Sequence, residues 1–372
     1  MKKILVLGAG MVGSAIVKDL AADFEVNVID IDKNNLEQFS KYNSVTAKTG
    51  DVSNFEYLLN ESGDADLIIC AVPGSIGFET LEKIIRCGKN IVDISFFDKD
   101  PFELDKLAKE NNITVVVDCG VAPGMSNIIL GYHNSKMEID SFHCMVGGLP
   151  FKKIWPFHYK APFSPTDVLE EYTRPARLRV NGEVITKPAL SDVEIVEFEN
   201  AGELEAFNTD GLRTLLTTMK IPNMIEKTLR YPGHAEYMKV LREAGFFNKD
   251  EIDVEGQKVS PISLTSKLLF PIWKLEKGEP EFTALKLIIS GKENGITKSY
   301  TYELFDEYDK ETDISSMART TGYTCTAAAR LILNGKFNRK GICPPEFVGA
   351  EPGCYEFVLS DLEKRNVVYN IL

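Results

Sequence analysis

Apolar positions in the first third of the chain fall into short continuous runs. "KILVLG", "FEVNVID", "DADLIICAV", "KNIVDISFF" and "ITVVVDCG" each have strand length, bounded by Gly, Pro, Asn or Asp. Helical segments separate them: the run after Met11, the run from Gly74 through Arg86, and the run from about Pro101 to Asn111. Short apolar strands alternating with helices predict an α/β fold with a parallel, doubly wound sheet. From about Ser126 the pattern changes. "SFHCMVGGLP", "ARLRVNGEV" and "TALKLIISGKENGITKSYTYELF" read as longer strands, the last a hairpin turning at Glu293-Asn294-Gly295. Helices from Asp210 to Met219 and from Ala235 to Ala244 lie among them. This predicts a second α+β domain on a largely antiparallel sheet. "MARTTGYTCTAAARLILNGKF" reads as an amphipathic helix returning to the first domain. The expected division is 1–125 completed by 316–372, with 126–315 as the second domain.

The opening "MKKILVLGAGMVGSAIVKDL" has two readings. Two lysines before an apolar run resemble a secretory leader. Three glycines interrupt that run, however, and Lys18 and Asp19 arrive before any small-residue cleavage site. The other reading is strand, glycine turn and helix, which requires an acidic residue about 20 positions on, at the end of the next strand. Asp30 stands there. Gly8 then makes the tight turn, Gly10 lets backbone approach a pyrophosphate, and Gly13 lets the helix pack on the strand. Ala9, Met11 and Val12 complete the phosphate turn at the helix N-terminus. Asp30, followed by Ile31 and Asp32 rather than arginine, would accept the adenosine ribose hydroxyls and repel a 2′-phosphate. NAD is therefore the expected cofactor. Asp51 and Val52 would border the adenine. Ala71, Val72, Pro73, Phe96, Asp118, Gly120 and Pro123, in loops after later strands, would surround the nicotinamide half.

Composition narrows the class. At 372 residues two domains are expected, and a net charge of −13 with 44% hydrophobic residues describes an acidic, soluble protein. No basic patch suggests nucleic acid, and no apolar run of spanning length suggests membrane. Seven cysteines without CxxC spacing read as reduced thiols, and so as a cytoplasmic location. No Cys/His cluster indicates a metal.

"GVAPGMSNI", "VGGLP", "GELEAFNTDGLRTL", "KTLRYPGHAE", "SMARTTGYT" and "KGICPPE" jointly resemble the saccharopine dehydrogenase-like superfamily, and within it the lysine 6-dehydrogenase branch. The resemblance implies NAD-dependent oxidation of the ε-amine of L-lysine, or of a similar diamino acid, to a semialdehyde that cyclises to a piperideine carboxylate. Saccharopine-forming relatives carry an aspartate before the Pro-Gly pair and a tyrosine after the fifth strand. Here Ala122 and Phe96 stand instead. A saccharopine or carboxynorspermidine-type reductase using NADPH, and a non-catalytic NAD-binding regulator, remain as alternatives.

Amine oxidation needs a base near neutrality and anchors for the remote α-carboxylate and α-ammonium. Arg213 offers a fork to the carboxylate and Asp210 a partner for the ammonium, three apart at an expected helix start, with Thr214 beside them. Asp210 reads equally as a helix N-cap. His234, before the expected helix at Ala235, reads as a base with a pKa lowered by the helix dipole, or as an exposed cap. Arg230 competes for the carboxylate. His158 among aromatics and Asp118 at a strand end complete the candidates. The long strands of the second domain suggest a homodimer or larger homo-oligomer.

Overall fold

The computed structural model describes residues 1–372. Its contacts divide the chain into one unit of residues 1–137 and 317–368 and another of residues 138–316 and 369–372. The first unit opens with β1 (Lys3–Leu7), α1 (Met11–Leu20), β2 (Glu25–Asp30), α2 (Lys33–Leu36), β3 (Val45–Thr49), α3 (Phe55–Ser62), β4 (Leu67–Cys70) and α4 (Gly74–Arg86). It continues through β5 (Asn90–Asp93), α5 (Asp105–Glu110), β6 (Thr114–Val116) and α6 (Met125–Asn134). Ile4 to Leu7 and Leu67 to Cys70 have no exposed surface, which is why these central strands are apolar at every position.

In the second unit β7 (Glu138–Pro150) is followed by α7 (Pro165–Thr173), β8 (Ala176–Val180), β9 (Glu183–Lys187), β10 (Glu194–Phe198), β11 (Gly202–Asn208), α8 (Leu215–Thr218) and β12 (Asn223–Arg230). Then come α9 (His234–Glu243), the small hairpin β13 (Ile252–Val254) and β14 (Gln257–Val259), α10 (Pro261–Trp273), β15 (Glu281–Glu293) and β16 (Ile296–Glu307). The β15–β16 hairpin turns through Asn294 and Gly295, both at positive φ, as a two-residue turn requires. The chain returns to the first unit through α11 (Ser316–Leu333), β17 (Gly341–Cys343), α12 (Pro345–Ala350) and α13 (Cys354–Glu363), and ends with β18 (Tyr369–Ile371) beside β16.

The first sheet has the order β17-β6-β5-β4-β1-β2-β3, all neighbours parallel. The order reverses direction at β1, between β2 and β4. The second sheet runs β10-β11-β12-β7-β15-β16-β18, with β8 on β12 and β9 on β8, and only β12–β7 is parallel. Arg330 of α11 fixes the returning segment to α1, pairing with Asp19 at 2.8 Å and Asp23 at 2.8 Å. The carbonyl of Glu346 in α12 lies 2.1 Å from where a Cβ on Gly131 of α6 would stand, so only glycine permits that helix crossing.

Three expectations need correction. The division falls after α6 rather than before it, and β18 joins the second sheet although the segment before it belongs to the first unit. The helix expected from Asp210 to Met219 is only α8, because Arg213 takes a left-handed φ of 44°. Helix α11 is buried almost all round rather than amphipathic.

Candidate functional site

In the first unit the expected cofactor residues converge at the carboxyl ends of the strands. Gly8, at φ 97°, follows β1, and a Cβ there would lie 2.4 Å from the Ala71 carbonyl oxygen at the end of β4. A Cβ on Gly13 would lie 2.2 Å from the Gly8 carbonyl oxygen, so α1 packs directly on the turn. Gly10 has nothing within 4 Å of its missing Cβ. No side chain caps α1, whose first amides are left to an anion. The turn Gly8–Gly13, with Ala9, Met11 and Val12 between its glycines, therefore fits a pyrophosphate.

Asp30 ends β2 as expected. Its Oδ2 accepts the Ala9 amide at 2.6 Å and its Oδ1 the Asp32 amide at 2.7 Å, which fixes the carboxylate against the glycine turn. Ile31 beside it is exposed, and so is Asp51 after β3, with Val52 half-buried. Ala71, Val72 and Pro73 follow β4, and half-buried Phe96 follows β5. Asp118, Gly120 and Pro123 follow β6; Asp118 is buried at φ 52°, and its carbonyl accepts the Gly120 amide. The Gly120 amide is shared with the Pro123 carbonyl at 3.1 Å, which closes the loop on itself.

A titratable group passed over in the sequence lies under these loops. Asp93, the last residue of β5, has no exposed surface; burial, with a further contribution from the negative charge of Asp118, pushes its pKa up to about 7. One carboxyl oxygen accepts the Ser95 hydroxyl and the other has no hydrogen-bond partner. The run "VDISFF" gave no hint beyond a polar residue inside an apolar strand.

In the second unit the expected substrate residues separate. Asp210 is buried and bound in a fork by Arg177 of β8, with Nε to Oδ1 at 2.9 Å and Nη2 to Oδ2 at 2.8 Å. It is neither a helix cap nor a carboxylate in reserve for an ammonium. Arg213 is buried at its left-handed φ, and Thr214 follows as the residue before α8, its hydroxyl buried without a partner. Arg179 of β8 fixes the far side of this turn by donating to the carbonyls of Leu216 and Met219.

Arg230 and His234 belong to a buried cluster. Arg230, 1% exposed, pairs with Glu171 of α7, donates to the Tyr172 hydroxyl at 3.1 Å and lies over the Tyr159 ring at 4.4 Å. Its charge is already balanced within the fold, so the reading as a rival carboxylate anchor is withdrawn. His234 is the first residue of α9, also 1% exposed, with Nε2 2.9 Å from the Tyr172 hydroxyl and Nδ1 2.9 Å from the Phe157 carbonyl. Burial first, then the Arg230 charge, lowers its pKa to about 3. The lowered pKa has a cause other than the helix dipole, and a histidine with both ring nitrogens engaged in the core is neither an exposed cap nor a general base. His158 is half-buried at φ 52° beside exposed Trp155.

Glu226 of β12 was also missed. Its Oε2 accepts the Thr209 hydroxyl at 2.7 Å and the Gly211 amide at 3.0 Å. Burial pushes its pKa up to about 8, and the charges of Glu171 and Asp210 add to that. A Cβ on Gly211 would lie 2.4 Å from the Glu226 carboxyl carbon, so glycine seats the Asp210–Arg213 turn on this carboxyl.

Two family models match the chain: the saccharopine dehydrogenase NADP binding domain over residues 4–116 and the saccharopine dehydrogenase C-terminal domain over residues 120–368. The mitochondrial alpha-aminoadipic semialdehyde synthase of Bos taurus is 25% identical over 70% of this chain, which spans only 30% of that protein. The NADP(+), L-glutamate-forming saccharopine dehydrogenase of Saccharomyces cerevisiae is 23% identical over 99% of this chain and 98% of its own. The carboxyaminopropylagmatine dehydrogenase of Synechocystis is 22% identical over 95% and 94%. The solved apo form of the L-Glu-forming saccharopine dehydrogenase from S. cerevisiae shares the fold, with a TM-score of 0.80 at 20% identity over the whole of both chains. No helix is long and apolar enough to cross a membrane.

Proposed function

The chain belongs to the saccharopine dehydrogenase family, and on that premise we propose that it is an NAD-linked oxidoreductase acting on an amino group of a diamino acid. Its substrate is L-lysine or a similar compound, oxidised at the ε-amine to a semialdehyde that cyclises. The observation that carries this reading lies in the loops after β5 and β6, where Phe96 and Ala122 stand in place of the tyrosine and aspartate of the saccharopine-forming relatives. A diamino acid has one carboxylate, and Arg213, on the turn after β11, is the proposed anchor for it.

Asp30 supports NAD over NADP. Its carboxylate faces the glycine turn, and Ile31 and Asp32 follow it rather than a cation. The bound nicotinamide would supply the hydride acceptor. The chain's own residues would hold the pyrophosphate at Gly8–Gly13, the ribose at Asp30 and the substrate carboxylate at Arg213.

The second reading is a reductase that joins an amine to an aldehyde with NADPH. It is favoured by the names of the yeast and Synechocystis relatives, which the chain matches over nearly their whole length. Following nicotinamide absorbance with NAD and NADP, against L-lysine, L-ornithine, other diamines and saccharopine at alkaline pH, separates the two. NAD reduction with a diamino acid supports the first. Turnover of saccharopine alone, with NADP, overturns it. No turnover together with intact NAD binding favours a regulator.

We further propose a homodimer through the second sheet, where partly exposed Phe151 and Phe305 pack around Phe282.

A further inference from the structure

The hairpin β13–β14 and the helix α10 that follows it both turn apolar side chains to solvent. Residues 248–258 are all exposed. The base of the hairpin is nonetheless held: the Ile262 amide donates to the Asn248 carbonyl at 3.0 Å, and the Thr265 hydroxyl to that of Phe246 at 2.8 Å. From that base the two strands project, turning through Glu255 and Gly256, both at positive φ. The register sets Ile252 opposite Val259 and Val254 opposite Gln257, so these share one face, while Asp253 and Lys258 pair across the other at 4.0 Å. The apolar face is the open one, with Ile252 51% and Val254 47% exposed. A two-stranded hairpin alone in water is only marginally stable, so a face of this kind calls for a cover. Helix α10 shows the same imbalance. Thr265, Leu269 and Trp273 form its buried stripe, while Leu264, Leu268 and Ile272, at the same four-residue spacing, are 53%, 60% and 41% exposed. The helix has no acidic residue, and its one charge, Lys267, makes no ion pair within the chain. The hairpin carries the opposite excess: Asp250, Glu251 and Glu255 are acids without an ion pair.

We propose that a second copy of this chain covers both surfaces. The apolar face of one copy's hairpin lies along the Leu264–Leu268–Ile272 stripe of the other, and the acids of the hairpin meet Lys267 of that helix. The occupant is a second copy because one chain carries both halves of the match: an apolar face with unpaired acids, and an apolar stripe with an unpaired lysine. The exchange is reciprocal. Each copy gives one hairpin and receives one, and a two-fold axis closes the pair. This interface is separate from the sheet face around Phe282, and it does not depend on the reaction assigned to the protein.

Exchanging the charges and sedimenting the whole chain at micromolar concentration tests this. Lys267→Glu sets acid against acid in both contacts of the pair, and Glu251→Lys with Glu255→Lys sets lysine against lysine. Each of these two proteins is expected to sediment at about half the wild-type mass. Their melting temperatures are expected to stay at the wild-type value, because the altered side chains are exposed. Mixed in equal amounts, the two are expected to recover the wild-type mass, since every hairpin then meets a helix of opposite charge. Leu264→Gln with Leu268→Gln is expected to lower the mass in the same way, and neither charge variant should restore it. Charge variants that keep the wild-type mass overturn the exchange and leave the sheet dimer standing. A mixture that stays at the lower mass overturns it too. A wild type that sediments as a monomer excludes both interfaces.

Discussion

Replacing Asp30 tests the cofactor assignment. Its carboxylate is fixed by the amides of Ala9 and Asp32, so it cannot swing away from a 2′-phosphate. Two unit charges about 4 Å apart repel by about 1 kcal/mol in water and about 4 kcal/mol at the effective dielectric of a protein surface. The lost charge-assisted bonds to the ribose hydroxyls add about 1.5–3 kcal/mol. The wild type is therefore expected to prefer NAD over NADP by roughly a hundredfold or more, since ~1.4 kcal/mol is a factor of ten. Asp30→Asn retains an acceptor for one backbone amide but removes the charge, and should cut that preference by about tenfold or more. Asp30→Ser should do the same and also loosen the turn at Ala9. Dissociation constants for both cofactors, measured by nicotinamide fluorescence on the reduced forms, provide the readout. Tighter NADP binding by the wild type, or an unchanged ratio in both variants, would refute the reasoning.

Arg213→Ala should lower kcat/KM for a diamino acid at least roughly tenfold, through loss of a charge-assisted pair worth about 2–5 kcal/mol, while NAD affinity holds; normal turnover would force the carboxylate anchor to be reassigned. Arg230→Met should instead show in melting, because it strands Glu171 and costs about 3–5 kcal/mol; an unchanged Tm would contradict the buried pair. Asp93 keeps its proton to about pH 7 when folded, while the unfolded chain ionises near pH 4, so the wild type loses stability as pH rises across that window. Asp93→Asn should flatten that loss, checked by urea unfolding at pH 5 and pH 8; parallel changes in both proteins would disprove it. Sedimentation at micromolar concentration tests the dimer, which a single monomer boundary would exclude.

The first unit was legible because its signals are local. Gly8, Gly10, Gly13 and Asp30 do their work within one strand-turn-helix-strand run, and sequence spacing fixes where they go. The second unit was less so, because its decisive pairs form between distant strands. Arg177 and Asp210 are bound across 33 positions, and nothing near either residue announces the other. The stretch around Gly211 has helical composition, but Glu226 lies beneath that glycine and Arg213 turns the chain the opposite way. Glu226 itself sits in "NMIEKTLR", where alternation alone suggests a solvent-facing charge. Helix α11 looked amphipathic because it is rich in threonine. Thr324 donates to the Thr320 carbonyl and Thr326 to that of Tyr323, so these hydroxyls are satisfied without water and the helix can be buried.

The path of the chain has a consequence for synthesis. Strand β6 waits for its neighbour β17, which leaves the ribosome only after the whole second sheet except β18 has been made. At about 5–20 residues per second that interval is on the order of ten seconds or more. During it the nascent nucleotide-binding sheet presents the open edge of β6, and α1 lacks the arginine of α11 that binds Asp19 and Asp23. A chaperone that shields strand edges would find its client in that window, and the fully translated protein would have no further need of it.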